Sequence, residues 1–301
     1  MKFVRLFSEG VIGTMKTKNR LVMPPMVRNY ADKDGLVTER YVDHIKRIAE
    51  GGVGMMILEA SFISPEGKGF VNQLGVHSDS VLPGLKRLVA MAHAHGAVIG
   101  PQLYHAGRQT SQKNSGFQSV APSAIREPLT GEMPKELTVP EIKKLVQQFA
   151  EAALRAKNAG CDFVEVHGAH GYLITQFLSP FSNQRADEYG GSEEKRLKFA
   201  LDVIAAIRKS VGGDFPVIIR LSADELVPGG LTLTETVVIA KRLEEAGVDA
   251  IHVSIGNYAS YPEGLMIPPM AVADGPLVQL AAGIKRAVTI PVIAVGKIRD
   301  P

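Results

Sequence analysis

The sequence predicts an α/β protein of parallel strands alternating with helices, and seven such βα units are readable along it. Three observations predict this. Amphipathic helices end at a glycine, which accepts the left-handed turn that closes a helix. Each is followed by an unbroken Val/Ile/Leu/Met run, the pattern of a strand buried on both faces. A polar side chain capable of chemistry then stands where the run stops.

In chain order, RLVMPP (20–25) is the opening strand. Helix 38–50 ends at Gly51-Gly52 and leads into VGMMILEA, which stops near Glu59. Helix 80–95 closes at Gly96, and AVIGPQLYH delivers Gln102 and His105. Helix 139–159 opens on Thr138-Val-Pro-Glu141, a capping box with proline in the first turn. It closes at Gly160, and CDFVEVHG delivers His167. Ser192 is placed to cap EEKRLKFALDVIAAIRK, after which PVIIRLSA (216–223) carries Arg220. Helix 234–246 closes at Gly247, and VDAIHVSIG delivers Ser254 and Asn257. PVIAVGKI (291–298), entered through proline, carries Lys297. Long polar insertions at 106–137 and 169–191 follow strands three and four, and insertions of that length in a compact domain are usually functional or disordered. A closed barrel of this kind has eight strands. The expectation is a (β/α)8 TIM barrel truncated before its eighth βα unit, with 1–301 forming one domain, the N-terminal part of a longer protein.

Composition narrows the function classes. The 34 basic and 31 acidic side chains leave a formal charge of +3 with no concentrated block, which argues against nucleic-acid and membrane-surface partners. A single cysteine, Cys161, excludes an intramolecular disulfide framework and leaves too few thiolates for an iron–sulfur cluster within these residues. The opening MKFVRLFSEG has no apolar signal-peptide core, and no apolar run is long enough to cross a bilayer. A soluble cytoplasmic protein that binds a small molecule, able to form a homo-oligomer, is the expectation.

Catalytic groups of α/β barrels sit at the C-terminal ends of the strands. Here Gln102, His105, His167, Arg220 and Lys297 stand at such ends, each flanked by apolar neighbours. Any one alone reads equally well as a structural polar group; five at the ends of four strands point to a shared site. The densest stretch is EVHGAHGYLITQFLSPFSNQRADEYGGS (165–192), with His167, His170 and Tyr172. His-x-x-His could ligate a metal, but a catalytic zinc site needs a third protein ligand. His105 or Glu165 could serve, yet no established metal motif is present. Lys297 could form a Schiff base, although loops after the seventh and eighth strands more often bind phosphate. His93 and His95 end a helix on the opposite face, where they suit the helix dipole. Cys161 reads as an inert buried thiol.

This 28-residue stretch resembles the old yellow enzyme family of FMN-dependent ene-reductases, above all its 2-enoate reductase and 2,4-dienoyl-CoA reductase branch. NRLVMPPM (19–26), GGVGMMILEA (51–60), PQLYHAGR (101–108), IIRLSA (218–223), IPPM (267–270) and PVIAVGKI carry the resemblance along the chain. It implies that Pro25, Met26, Val27 and Ala60 line a flavin ring. Gln102 and Arg220 would bond its pyrimidine edge, and Gly296 and Lys297 would begin the FMN phosphate site. His167 and His170 would grip a substrate carbonyl, and Tyr172 would donate a proton. It further implies NADH or NADPH as electron donor, and a 4Fe-4S cluster and FAD in a C-terminal region beyond these residues. Two positions depart from the pattern. Val27 replaces a hydrogen-bonding Thr or Cys, and Tyr258 stands where the dienoyl-CoA branch has histidine. A flavin amine dehydrogenase of the trimethylamine dehydrogenase type, or a metal or Schiff-base lyase, stays open as an alternative.

Overall fold

The computed structural model describes residues 3–263 and 266–300. A hairpin, β1 (Gly10–Ile12) and β2 (Met15–Thr17), precedes the repeating units. These run β3 (Val22–Met23), α1 (Glu39–Glu50), β4 (Met55–Phe62), α2 (Leu82–Ala94) and β5 (Val98–Tyr104). The first insertion holds α3 (Gln112–Ser115), β6 (Val120–Ala121) and β7 (Lys135–Glu136). Then come α4 (Val139–Asn158), β8 (Val164–Gly168), α5 (Leu173–Leu178), α6 (Glu193–Val211) and β9 (Val217–Ser222). The last are α7 (Leu233–Glu245), β10 (Ala250–Ser254), α8 (Val278–Ala287) and β11 (Val292–Ala294).

One parallel sheet of seven strands, in the order β11-β10-β9-β8-β5-β4-β3, curls into a nearly closed barrel. The seven strands predicted are the seven observed. β3 and β11 are shorter than their apolar runs, for local reasons. Pro24 and Pro25 have no N–H to extend the β3 ladder. Past β11, Gly296 and Lys297 turn to φ of 108° and 48°, which ends the extended conformation. Between these two edge strands lies a cavity of about 980 Å³, lined by Val22, Met55, Val292, Ala294, Gly296 and Lys297 among others.

Helix ends follow the predicted chemistry. The Thr138 capping box with Glu141 is formed, and the Ser192 hydroxyl accepts from the Lys195 N–H at 3.3 Å. The insertions are structured and tied together by buried Arg185, which donates to the Pro122 and Leu137 carbonyls and pairs with Asp187.

Strand alternation sorts the side chains into two sets. Outward-facing Met56, Leu58, Ile99, Val164 and Ile219 join the helices in the main core. Inward-facing Met55, Ile57, Phe163, Ile218 and Ala250 form an apolar floor with Ile12 and Met15 of the hairpin. The interior is therefore apolar at its N-terminal end, with Ile12 and Met55 also bordering the cavity between β3 and β11.

Candidate active site

Above that floor the interior turns polar. Gln102 is in register with Glu165 across β5 and β8, and His167 with Arg220 across β8 and β9. Arg220 is in turn opposite His252 on β10. All of these side chains are buried. Barrel interiors are ordinarily filled by bulky aliphatic layers, and a buried polar group costs stability unless it is hydrogen-bonded. A polar layer here marks a site.

Glu165 ties the lower part of the layer together. It accepts from Gln102 Nε2 at 2.7 Å, and its other oxygen lies 2.8 Å from His252 Nδ1. Arg220 donates to the Ser254 hydroxyl at 3.3 Å, while its Nε is buried without a partner. Buried orphan donors call for a ligand or ordered water.

At the strand mouths, His167 Nδ1 accepts from the Ala169 N–H at 3.2 Å, so the proton of the neutral ring sits on Nε2. His170 occupies φ 62°, a conformation uncommon outside glycine, and the structure around it holds it there. Its N–H donates to the Ser222 hydroxyl at 2.9 Å, its carbonyl accepts from Gln109 at 3.0 Å, and its Nε2 lies 2.7 Å from the Ser254 hydroxyl. Gly171, at φ 75°, then swings the chain so that Tyr172 stands at the N-cap of α5. The two imidazole centroids are 5.2 Å apart, and that of His167 is 4.9 Å from the Tyr172 ring. Tyr104 packs edge-on against Tyr172 at 4.6 Å, and the Tyr172 and Tyr258 hydroxyls share a 2.7 Å hydrogen bond.

Burial governs the protonation of this cluster. It pushes both imidazoles well below their ordinary value, and the neighbouring Arg220 charge adds to the effect. It raises the Tyr172 phenol well above 10, with Tyr104 and Tyr258 contributing. At neutral pH the site therefore presents two neutral imidazoles and protonated phenols.

Of the other predicted residues, Ala60 and Val27 reach this centre and the rest lie elsewhere on the strand ends. Ala60 and half-buried Val27 pack in one apolar cluster with Tyr104, Tyr172 and Tyr258. Pro25 is half-buried and Met26 exposed, on the segment leaving β3. That segment is anchored by Glu59, the extra residue of a bulge in β4, whose carboxylate accepts from the Arg28 N–H at 2.7 Å. Burial raises the Glu59 pKa to about 7. Gly296 and Lys297 line the cavity between β3 and β11, and the Lys297 ammonium bonds the Met270 and Val272 carbonyls and lies 3.4 Å from Asp274. His105 is buried, with Nδ1 accepting from the Gly107 N–H at 3.0 Å, and burial lowers its pKa to about 4. His93 lies outside the site, 2.9 Å from Asp162. The Glu165–His252 pair and Tyr104 were not singled out from sequence as a functional group. The signal was present: Glu165 and His167, like His252 and Ser254, are two apart on one strand and so share its inner face.

Comparison with known proteins agrees with this geometry. Residues 5–301 match the model of the NADH:flavin oxidoreductase / NADH oxidase family. An NADH oxidase of Thermoanaerobacter brockii is 48% identical over 301 residues, covering 99% of this chain and 46% of that protein. An NADPH dehydrogenase of Geobacillus thermodenitrificans is 42% identical over 294 residues, covering 97% and 83%. The solved structure of 2-naphthoyl-CoA reductase superposes with a TM-score of 0.90 at 32% identity, covering 96% of this chain and 46% of that one. The chain thus spans about half the length of some of its relatives. A parallel barrel with a buried polar interior and the His167–His170–Tyr172 cluster at its mouth thus belongs to the NADH:flavin oxidoreductase / NADH oxidase family, the family of old yellow enzyme.

Proposed function

We propose that this barrel binds FMN and, with electrons from NADH or NADPH, reduces an activated carbon–carbon double bond: an enoate, enoyl thioester or enone. The observation that carries the reading is the juxtaposition of the His167 Nε2–H, left free by the bond to Nδ1, with His170 and the protonated Tyr172. The polar layer suits the cofactor. The orphan Arg220 Nε and the Gln102 amide offer the donor and acceptor that a pyrimidine edge requires. FMN, when bound, supplies the hydride.

The residues supply the rest. Adding hydride to the β-carbon of an enone or enoyl thioester builds negative charge on the carbonyl oxygen, and two imidazole donors aimed there stabilise it. One such donor is worth about 10²–10³ in rate. The α-carbon then needs a proton. Tyr172, held protonated by burial, can deliver it.

We also infer that the barrel is one part of a longer multidomain protein, with a 4Fe-4S cluster and FAD lying outside these residues. The 46% coverage of the NADH oxidase and of 2-naphthoyl-CoA reductase supports this, as does the gap between β3 and β11. No helix among the described residues is long and apolar enough to cross a membrane, and Cys161 is a free buried thiol. A cytoplasmic setting goes with this reading.

The test is a visible spectrum of the purified full-length protein, followed by anaerobic reduction with NADH or NADPH and reoxidation by a panel of alkenes and amines. Flavin absorption with alkene-driven reoxidation supports the reading. A colourless protein, or reduction by amines alone, overturns it.

A further inference from the structure

We infer that Glu165 is a positioning residue that sets the sense of the Gln102 amide and thereby makes the site selective for a ring edge offering N–H beside C=O. This rests on the flavin reading above, since the pyrimidine edge of a flavin is such a group.

The two faces of a glutamine amide differ only in which atom donates and which accepts, so the amide needs an external reference to take one sense. Glu165 provides it. A carboxylate only accepts, so the amide must turn its NH2 toward it, as it does at 2.7 Å. Its carbonyl oxygen, which receives no hydrogen bond from the described residues, is thereby directed away from Glu165 as an acceptor. Arg220, also buried in the interior and near enough for the Glu165 charge to act on it, can only donate, and its Nε has no partner. Acceptor and donor thus stand ready together, complementary to N–H next to C=O. With the amide reversed, its NH2 would meet a ligand N–H, donor against donor.

His252 completes the device. Burial lowers its pKa, so it is neutral at neutral pH, and its Nδ1–H holds the second Glu165 oxygen at 2.8 Å. Both Glu165 and His252 are fully buried, and His252 Nε2 is unpartnered. The carboxylate is thereby clamped from the side opposite Gln102, and it cannot rotate without losing one of its two bonds.

The experiment is a double-mutant cycle on the full-length protein. Apoprotein is titrated with FMN, following quenching of flavin fluorescence. Glu165→Leu should weaken FMN binding about tenfold, the scale of one hydrogen bond lost or reversed. In a Gln102→Ala background the same change should cost less than about threefold, because Glu165 acts through the amide. Glu165→Gln, which keeps an acceptor for Gln102, should stay within about threefold of the parent. Equal losses in both backgrounds, or a Glu165→Gln variant as weak as Glu165→Leu, would overturn the inference. If Glu165→Leu fails to fold, the Glu165→Leu/His252→Leu pair, which removes the buried imidazole along with the carboxylate that held it and leaves only the Gln102 amide to re-pair, is held to the same expectations. Failure of the unmutated protein to take up FMN would sink the flavin reading itself, an outcome distinct from either.

Discussion

The Tyr172 hydroxyl is hydrogen-bonded to that of Tyr258 at 2.7 Å, joining the phenol beside the two imidazoles to the 3-10 turn Tyr258–Glu263 that follows β10. If Tyr172 is the proton donor, Tyr172→Phe should slow alkene reduction by about 10²–10⁴, the range for a lost general acid. Reduction of the flavin by nicotinamide should be nearly unchanged. Tyr258→Phe removes only a partner of the donor, and about five- to tenfold is expected in the same half-reaction. Stopped-flow measurement of the two half-reactions separates the cases; equal loss in both would count against the assignment.

His167 and His170 are held neutral by burial, and phenols that mimic the enolate should bind through their N–H donors. His167→Ala should weaken such ligands by about 10- to 100-fold, as for a hydrogen bond to a charged group. Because both pKa values lie well below 6.5, the affinity should show no step near that pH that can be traced to these rings. A spectroscopic titration across pH 6 to 8 checks both points, and unchanged affinity in the variant would contradict the carbonyl-gripping role.

Glu59 titrates in the opposite sense. Its folded-state pKa is raised from 4.5 to about 7, chiefly by burial, so its contribution to stability is complete below 4.5 and lost as pH rises through 7. The buried imidazoles, lowered from 6.5, cost stability as pH falls below that value. Glu59→Gln removes only the first effect. Its melting temperature relative to the parent protein should therefore climb between pH 4.5 and 8. A constant offset would show that Glu59 does not take up a proton on folding.

Thr138→Ala breaks the capping box of α4, whose hydroxyl accepts from the Glu141 N–H at 3.4 Å. About 1 kcal/mol of stability should go, roughly 2 °C in melting temperature for a domain of this size. Flavin content should not change, since the cap lies away from the strand mouths. Thermal denaturation with a parallel absorbance measurement tests both.

Much of this was legible locally. Glycine after α1, α2, α4 and α7, unbroken aliphatic runs and the capping signals at Thr138 and Ser192 act over a few residues, so they could be read without knowing what lay across the barrel. The exceptions have equally local causes: Pro24 and Pro25 cut β3 short, and positive φ at Gly296 and Lys297 ended β11. The hairpin β1–β2 went unread because three-residue strands carry too little pattern to separate from a loop.

The sequence by itself determined the order of strands and helices, the polar residues at the ends of the apolar runs, and the identity of the groups that could do chemistry there. Only the tertiary structure decided which of those groups meet. Gln102 bonds Glu165 from 63 residues away, His252 reaches it from 87, and Tyr258 reaches Tyr172 from 86. Such pairings depend on inter-strand register and on which face each side chain takes as the sheet curls. A one-residue slip in register would send every one of them to the opposite face.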